Sequence, residues 1–340
     1  MDKPVGEPGL RAVTRQQREA RERELSPLAT RSVHSRGREH EEAPDRYRTA
    51  FEVDRDRVLH SKAFRRLKHK TQVFINPEGD HFVTRMTHTL QVTQVARALA
   101  SALGLNETLT EAICLAHDCG HTPFGHTGEA ALSDYMDDSE WLHSEQGVRI
   151  FRVLEPRNLS WEVLDGIRAH TWRVKPPPNT PEGWICRYAD RIAYLNHDLQ
   201  DALRAGVIEA SDVPAEVIEV LGPLAGRSWI NEMIEAVIDE SIRRGKIVMR
   251  ADVLQAMKRF REFMFERVYL RPEAAAQNER ARGIIHHLVD YMLAHPEQIP
   301  ETYCIADADR LTQVLDYVAG MTDRYALNLH DQLFRPRGLV

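Results

Sequence analysis

Leu115-Ala116-His117-Asp118-Cys119-Gly120-His121-Thr122-Pro123-Phe124-Gly125-His126-Thr127-Gly128-Glu129 packs three histidines and two acids into one short segment. It reads as the end of an apolar helix that leaves through a Gly/Pro loop, with Gly120 placed to stop the helix. A core helix gains nothing from so many ionisable groups, because an unpaired buried charge costs several kcal/mol or titrates away. Metal ligation combined with acid–base chemistry does use them.

The pair His117-Asp118 needs its context. About one His-Asp dipeptide is expected by chance in a chain with this many of both residues, and His197-Asp198 and His330-Asp331 also occur. Adjacent residues on a helix point roughly 100° apart and seldom share a ligand. At a helix end the last residue can turn, and only His117-Asp118 has both the apolar approach and the Gly/Pro exit. A metal needs further donors. His88 lies on a helix beginning near Val83, with Arg85 three residues earlier on the same face. Asp190 recurs with Tyr194 and Asp198 at four-residue spacing on the helix that follows Thr180-Pro181. Taken singly, His88 reads equally well as a satisfied surface residue, and the Asp190 row as a solvated helix face. Two imidazoles with two carboxylates suit Mn, Fe or another first-row ion and also admit Mg or Zn.

Helical periodicity dominates the surrounding chain. Asp54 to Lys70 places Leu59, Ala63 and Leu67 four apart, and Val83–Leu103 and Leu109–His117 carry denser apolar stripes. A Thr108…Glu111 capping box is expected before the second stripe. Thr180-Pro181 opens a helix that Gly206 closes, and residues 174–180 form a loop. No convincing alternating strand and no repeat is present, so the fold class is all-α. Residues 1–45 read as a charged N-terminal arm, helical over Gln16–Glu24 and elsewhere mobile or ordered against a partner subunit. Residues 46–210 read as the catalytic domain and 211–340 as C-terminal helices packing on it.

The chain has 340 residues, 28% charged and 42% hydrophobic, with a net charge of -6. That balance argues against a general nucleic-acid binder. Cys114, Cys119, Cys186 and Cys304 form no C-x-x-C pair and read as reduced thiols. The first residues lack a signal-peptide core, and no apolar run approaches the ~18–20 residues that span a bilayer. A cytoplasmic protein without membrane contact is expected.

The residues quoted above resemble the HD-domain superfamily, whose ligands run His…His-Asp…Asp on separate helices. More narrowly the chain resembles the deoxyguanosinetriphosphate triphosphohydrolase family of bacterial dNTPases and their mammalian SAM-and-HD-domain relative. The similarity runs through Arg46-Tyr47-Arg48, Phe64-Arg65-Arg66-Leu67, Thr71-Gln72-Val73 and Thr84–Leu90. It continues through His117–Glu129, His143–Gly147 and Ala189–Asp198, with a weaker echo over Phe263–Tyr269. The resemblance implies an HD-domain helical bundle and a divalent metal on His88, His117, Asp118 and Asp190. It implies that His121, His126 and Glu129 are catalytic, with His126 nearest the chemistry. It also implies substrate contacts from His143 to phosphate, from Gln72 and Val73 to sugar and base, and from Tyr194, Asp198 and Tyr269 around the deoxyribose.

The reaction implied is hydrolysis of dGTP or another dNTP to deoxynucleoside and tripolyphosphate by attack at the α-phosphorus. Three phosphates need cations. Arg65, Arg66, Lys68, Lys70 and Arg85 are the candidates, Arg65–Lys70 being otherwise a solvated helix face. The resemblance leaves room for a dNTP activator and a homo-oligomer. The stretch from Glu129 to Asp190 is short here, which leaves base preference and activation open. The alternatives are an HD phosphodiesterase or 5′-nucleotidase, and a protein that binds dNTPs or single-stranded nucleic acid. His170 and Cys119 read as structural, and the tryptophans as core.

Overall fold

The computed structural model describes residues 11–72, 83–137, 139–224 and 228–336. Fifteen α-helices carry the fold, and no strand occurs among the described residues beyond two isolated bridges. The site-bearing part comprises α1 Arg15–Arg21, α2 Ala50–Leu59, α3 Lys62–Arg66, α4 Arg85–Ala102 and α5 Glu107–Ala116. It continues with α6 His126–Ser133, α7 His143–Arg149, α8 Trp161–Ala169 and α9 Pro181–Arg204. Then follow α10 Ala215–Leu221, α11 Trp229–Arg244, α12 Ala251–Met264, α13 Pro272–Ala294, α14 Arg310–Ala319 and α15 Asp323–Phe334. The all-α expectation holds.

Helix starts follow local chemistry. Thr49, Ser61, Thr84, Asn106, Thr180 and Thr322 each accept from a backbone N–H in the first turn of the helix they precede. The box expected at Thr108…Glu111 is not used, because Asn106 caps α5 through the Leu109 N–H. The single helix suggested for Asp54–Lys70 is broken at His60-Ser61: Ser61 starts α3, and Glu155 accepts from the Lys62 and Ala63 N–H groups. Val58, rather than Leu59, faces the core as a result.

α4, α5 and α9 pack on one another as the centre of the molecule. On α5, Leu109, Ala112, Ile113, Cys114, Leu115 and Ala116 are all buried, so the helix has no solvated face to spare in its C-terminal half. The principal core runs from Ala29 to Val268 and includes α10–α12. A second core gathers Phe124, Ala131 and Leu132 with Ile285, Leu288, Val314 and Val318. These cores do not divide at residue 210: α10–α12 join the first, while α6 joins the C-terminal helices.

The arm differs from expectation. Residues 11–45 lie against the body of their own chain, α1 ends at Arg21, and 3₁₀ turns follow. Buried Glu182 accepts from Thr30 N, Thr30 Oγ1 and Asn106 N at 3.0, 2.7 and 3.0 Å. Glu162 receives Ser35 and Arg36, and buried Asp54 pairs with Arg38. A carboxylate with several donors from a distant segment is a strong local clamp. Glu182→Ala leaves three donors unpaired and is expected to lower unfolding free energy by about 2–4 kcal/mol, read as a shift of the urea midpoint.

Candidate active site

The expected ligands come from three helices. His88 lies one turn into α4, His117 caps the C-terminus of α5 with Asp118 next, and Asp190 sits midway along α9. Their donor atoms converge. His88 Nε2 is 3.2 Å from Asp190 Oδ1 and 3.7 Å from Asp118 Oδ2. His117 Nε2 is 3.4 Å from Asp118 Oδ1 and 3.9 Å from Asp190 Oδ1. Donors about 2.1 Å from one ion lie about 3.0–3.5 Å apart, close to this set. His117 Nδ1 bonds the Cys114 carbonyl at 2.6 Å, so it carries the proton and Nε2 the lone pair. That Nε2 is buried, lacks a hydrogen-bond partner and faces two carboxylates. That nitrogen meets the two anions favourably only with a cation, a proton or a metal ion, between them. The residues present fit a divalent ion.

The charges are balanced within the core. Burial works against ionised Asp118, but His117, His121 and Arg85 outweigh it and hold the carboxyl well below its usual range. Burial likewise opposes Asp190, while the His88 hydrogen bond and His117 take it down to about 2. Arg85, expected on phosphate, instead donates through Nη1 to Asp118 Oδ2 at 2.9 Å and is buried. Its guanidinium is spent on a carboxylate.

Beside this cluster stands a second one around Glu129, on the first turn of α6. Glu129 Oε1 lies 2.7 Å from His121 Nδ1 and 2.9 Å from His143 Nδ1, close but without the alignment of a hydrogen bond. Oε2 meets His126 Nδ1 at 3.3 Å. Burial opposes the Glu129 charge, and His143, His121 and His126 overcome it, so the group is a carboxylate at working pH. Burial, with Arg85 and His143 nearby, brings His121 down to about 4. The His121 and His143 rings stack at 3.8 Å. In contrast, the His126 side chain is 74% exposed.

Gly120 allows this juxtaposition. A Cβ there would fall 2.0 Å from the His143 carbonyl and 2.3 Å from Gly147 N, so the start of α7 lies directly on the turn after Asp118. Gly120 follows the end of α5, as the sequence suggests, but its φ is not positive. Its contribution is close approach.

Of the remaining expected residues, Tyr194, Asp198 and Tyr269 lie together and the others apart. Tyr194 is half-buried beside Arg191, Asp190 and Arg261. Asp198 is buried and accepts from the Tyr269 hydroxyl at 2.6 Å, Tyr269 lying on the π-helical turn Phe265–Tyr269 after α12. Gln72 is half-buried with Oε1 unpaired, and Val73 lies outside the described residues. Arg65 is exposed and donates to the His60 carbonyl, so no described contact brings it to the cluster. Lys70, expected on phosphate, is buried on the carbonyls of His121 and Ala319, which also removes it from the solvated face that was the alternative for Arg65–Lys70.

Sequence reasoning passed over three neighbours. His170, at the end of α8, is buried with Nε2 3.0 Å from His143 Nε2 and its ring 5.0 Å from His117. Its Nδ1 bonds the Ile167 carbonyl, the same i−3 device that orients His117. A histidine ending an amphipathic helix is indistinguishable from a structural one until the helix is placed. Arg191 and Arg261 face Tyr194 from α9 and α12; adjacency to Asp190 was the available signal for Arg191.

The HD domain model matches residues 85–195, which span the cluster from Arg85 to beyond Asp190. The phosphohydrolase-associated domain model matches residues 247–332. A deoxyguanosinetriphosphate triphosphohydrolase-like protein of Caldanaerobacter subterraneus subsp. tengcongensis is 46% identical over 92% of this chain and 93% of its own. A protein so described from Clostridium perfringens is 40% identical over 92% and 95%, and one from Desulfatibacillum aliphaticivorans 41% over 93% and 96%. The chain belongs to this family. A solved structure of a hypothetical protein from Aquifex aeolicus is 21% identical over 84% of this chain and 68% of its own, with a TM-score of 0.49.

An HD-domain hydrolase of this family thus carries a His/Asp cluster able to hold a divalent metal. No described helix is long and apolar enough to cross a membrane.

Asp198 generates a pH prediction. Burial raises its carboxyl to about 7 despite the Tyr269 bond. With the folded value above the unfolded one, the native state binds more protons between about pH 4 and 7. Stability at this group therefore falls as pH rises through that window, by at most about 1.4 kcal/mol per pH unit. Asp198→Asn should remove the slope, so urea midpoints of variant and wild type should diverge from pH 5 to pH 7 in the variant's favour.

Proposed function

We propose that the protein hydrolyses deoxynucleoside triphosphates, dGTP among them, to deoxynucleoside and tripolyphosphate. The observation that carries this reading is the exposed His126 imidazole, oriented by buried Glu129 and adjacent to the His88/His117/Asp118/Asp190 cluster. Family membership supports the same substrate class.

A divalent ion (Mn, Mg or Fe, with Zn admitted) held by His88, His117, Asp118 and Asp190 supplies Lewis acidity toward an α-phosphate oxygen. The side chains do the rest. Glu129 faces His126 Nδ1 and so turns Nε2 away from the protein, toward substrate. Water adds its oxygen to the α-phosphorus and releases a proton to solvent, the bond from phosphorus to the 5′-oxygen breaks, and His126 gives that oxygen a proton. Such proton transfer contributes typically roughly 10²–10⁴-fold. The imidazoles around Glu129, His143 foremost, keep it ionised inside the core. Tyr194, Asp198 and Tyr269 form the wall against the sugar, and Arg191 and Arg261 are better placed for phosphate than Arg65 or Arg85. The bond to Asp118 makes Arg85 a support for the ligand set.

Two measurements test this. Metal-loaded protein is incubated with each dNTP and rNTP in ¹⁸O-water and the products are identified. Deoxynucleoside plus tripolyphosphate, with the label in tripolyphosphate, is expected. Nucleoside monophosphate with pyrophosphate, or attack confined to monophosphates or cyclic nucleotides, would give the site to a different HD phosphohydrolase reaction. Second, His126→Ala should cost at least about 10²-fold in kcat with bound metal unchanged by elemental analysis. Asp118→Ala should lose both metal and turnover. Full activity in purified Asp118→Ala protein would exclude the proposed site.

A further inference from the structure

Asp323 is the first residue of α15, directly after its cap Thr322, and it is buried. Its Oδ1 accepts from the backbone N–H of Phe124 at 3.0 Å, and its Oδ2 from the backbone N–H of Thr71 at 2.9 Å. One carboxylate therefore joins three segments far apart in sequence. Lys70 reinforces the junction by donating Nζ to the carbonyls of His121 and Ala319. The C-terminal helices thus grip the loop between His121 and His126 at two points.

That loop needs holding. Phe124 has φ 62° and Gly125 φ 58°. Glycine adopts this region freely, but phenylalanine does so only where its surroundings enforce it. Two features enforce it here: the Phe124 ring is buried in the second core with Ile285, Leu288 and Val314, and its N–H is fixed by Asp323. His126, the first residue of α6, follows at once, so the kink at 124–125 aims its imidazole. On the other arm, Thr71 precedes Gln72 and pairs with Thr84 at the entrance to α4.

We infer that Asp323 is a positioning residue: by fixing Phe124 and Thr71 to one carboxylate, it sets the imidazole of His126 against the segment leading into Gln72. It touches none of the reacting atoms. The C-terminal helices are in this sense part of the catalytic apparatus, and the inference rests on the proposed role of His126. Aspartate fits because both acceptors lie on a short rigid side chain. Asparagine would keep one acceptor and turn an N–H toward the other donor.

The test uses full-length, metal-loaded Asp323→Ala, Asp323→Asn, His126→Ala and the double variant Asp323→Ala/His126→Ala. For dNTP hydrolysis, Asp323→Ala is expected to lower kcat by about 10–100-fold, with KM changed less than about threefold and metal content unchanged. Asp323→Asn should fall between it and wild type, and it carries the same test if the alanine variant folds poorly. The double variant should be no slower than His126→Ala, because the two act as one unit. Hydrogen exchange should quicken by about tenfold or more in segments 69–72 and 119–126 and stay unchanged over 92–100 in α4. Unchanged exchange in the two segments, or multiplicative losses in the double variant, would overturn the inference. A wild type inactive on every dNTP would remove the proposed function, and the exchange result would then decide the clamp alone.

Discussion

Asp118 and Asp190 remain ionised inside an apolar helical core because three imidazoles (His88, His117 and His121) and the Arg85 guanidinium face them there. This compensation is the constraint on which the rest depends. A buried carboxylate without partners would cost several kcal/mol or take up a proton. The helices must therefore cross where His88, His117, Asp118, Asp190 and Arg85 meet. The bond from His117 Nδ1 to the Cys114 carbonyl settles which nitrogen faces the carboxylates, and His170 repeats the device on α8.

The same logic separates two environments only a few ångströms apart. Around Asp118 and Asp190, the imidazoles and carboxylates offer lone pairs to a cation, and Arg85 supports one of the carboxylates. Around Glu129, three imidazoles share one carboxylate, and only His126 reaches solvent. A general acid must meet bulk protons and substrate, whereas ligands must be shielded from competing water. The difference in exposure between His126 and the candidate ligands His88 and His117 matches that division of labour.

Burial also reassigns residues that look alike in sequence. Arg65, in the last turn of α3, and Arg85, the first residue of α4, are both arginines on helical segments, yet one is exposed and the other donates to Asp118 in the core. Lys70 belongs by pattern to a solvated basic face and by packing to the junction of Ala319 with the catalytic loop. Glu182 belongs by pattern to the first turn of α9, and by packing it holds the N-terminal arm. Lys70 and Glu182 are used where backbone groups of a distant segment need a partner, and Arg85 where a buried carboxylate does.

Local chemistry in the chain determined the all-α class, most helix starts and the segment from His117 to Glu129, because caps, apolar periodicity and clustered ionisable residues are short-range signals. Resemblance of ordered motifs supplied the candidates His88 and Asp190, which read alone are ordinary polar positions on two helices. Tertiary structure alone decided that His170, Arg191, Arg261 and Asp323 stand beside the site. It also decided that Arg85 turns to Asp118, and that the arm lies on its own chain. Those outcomes depend on which helix faces cross and which buried donors remain unpaired. Both are properties of the packed molecule, and of these residues only Arg191, next to Asp190, had a signal within its own helix.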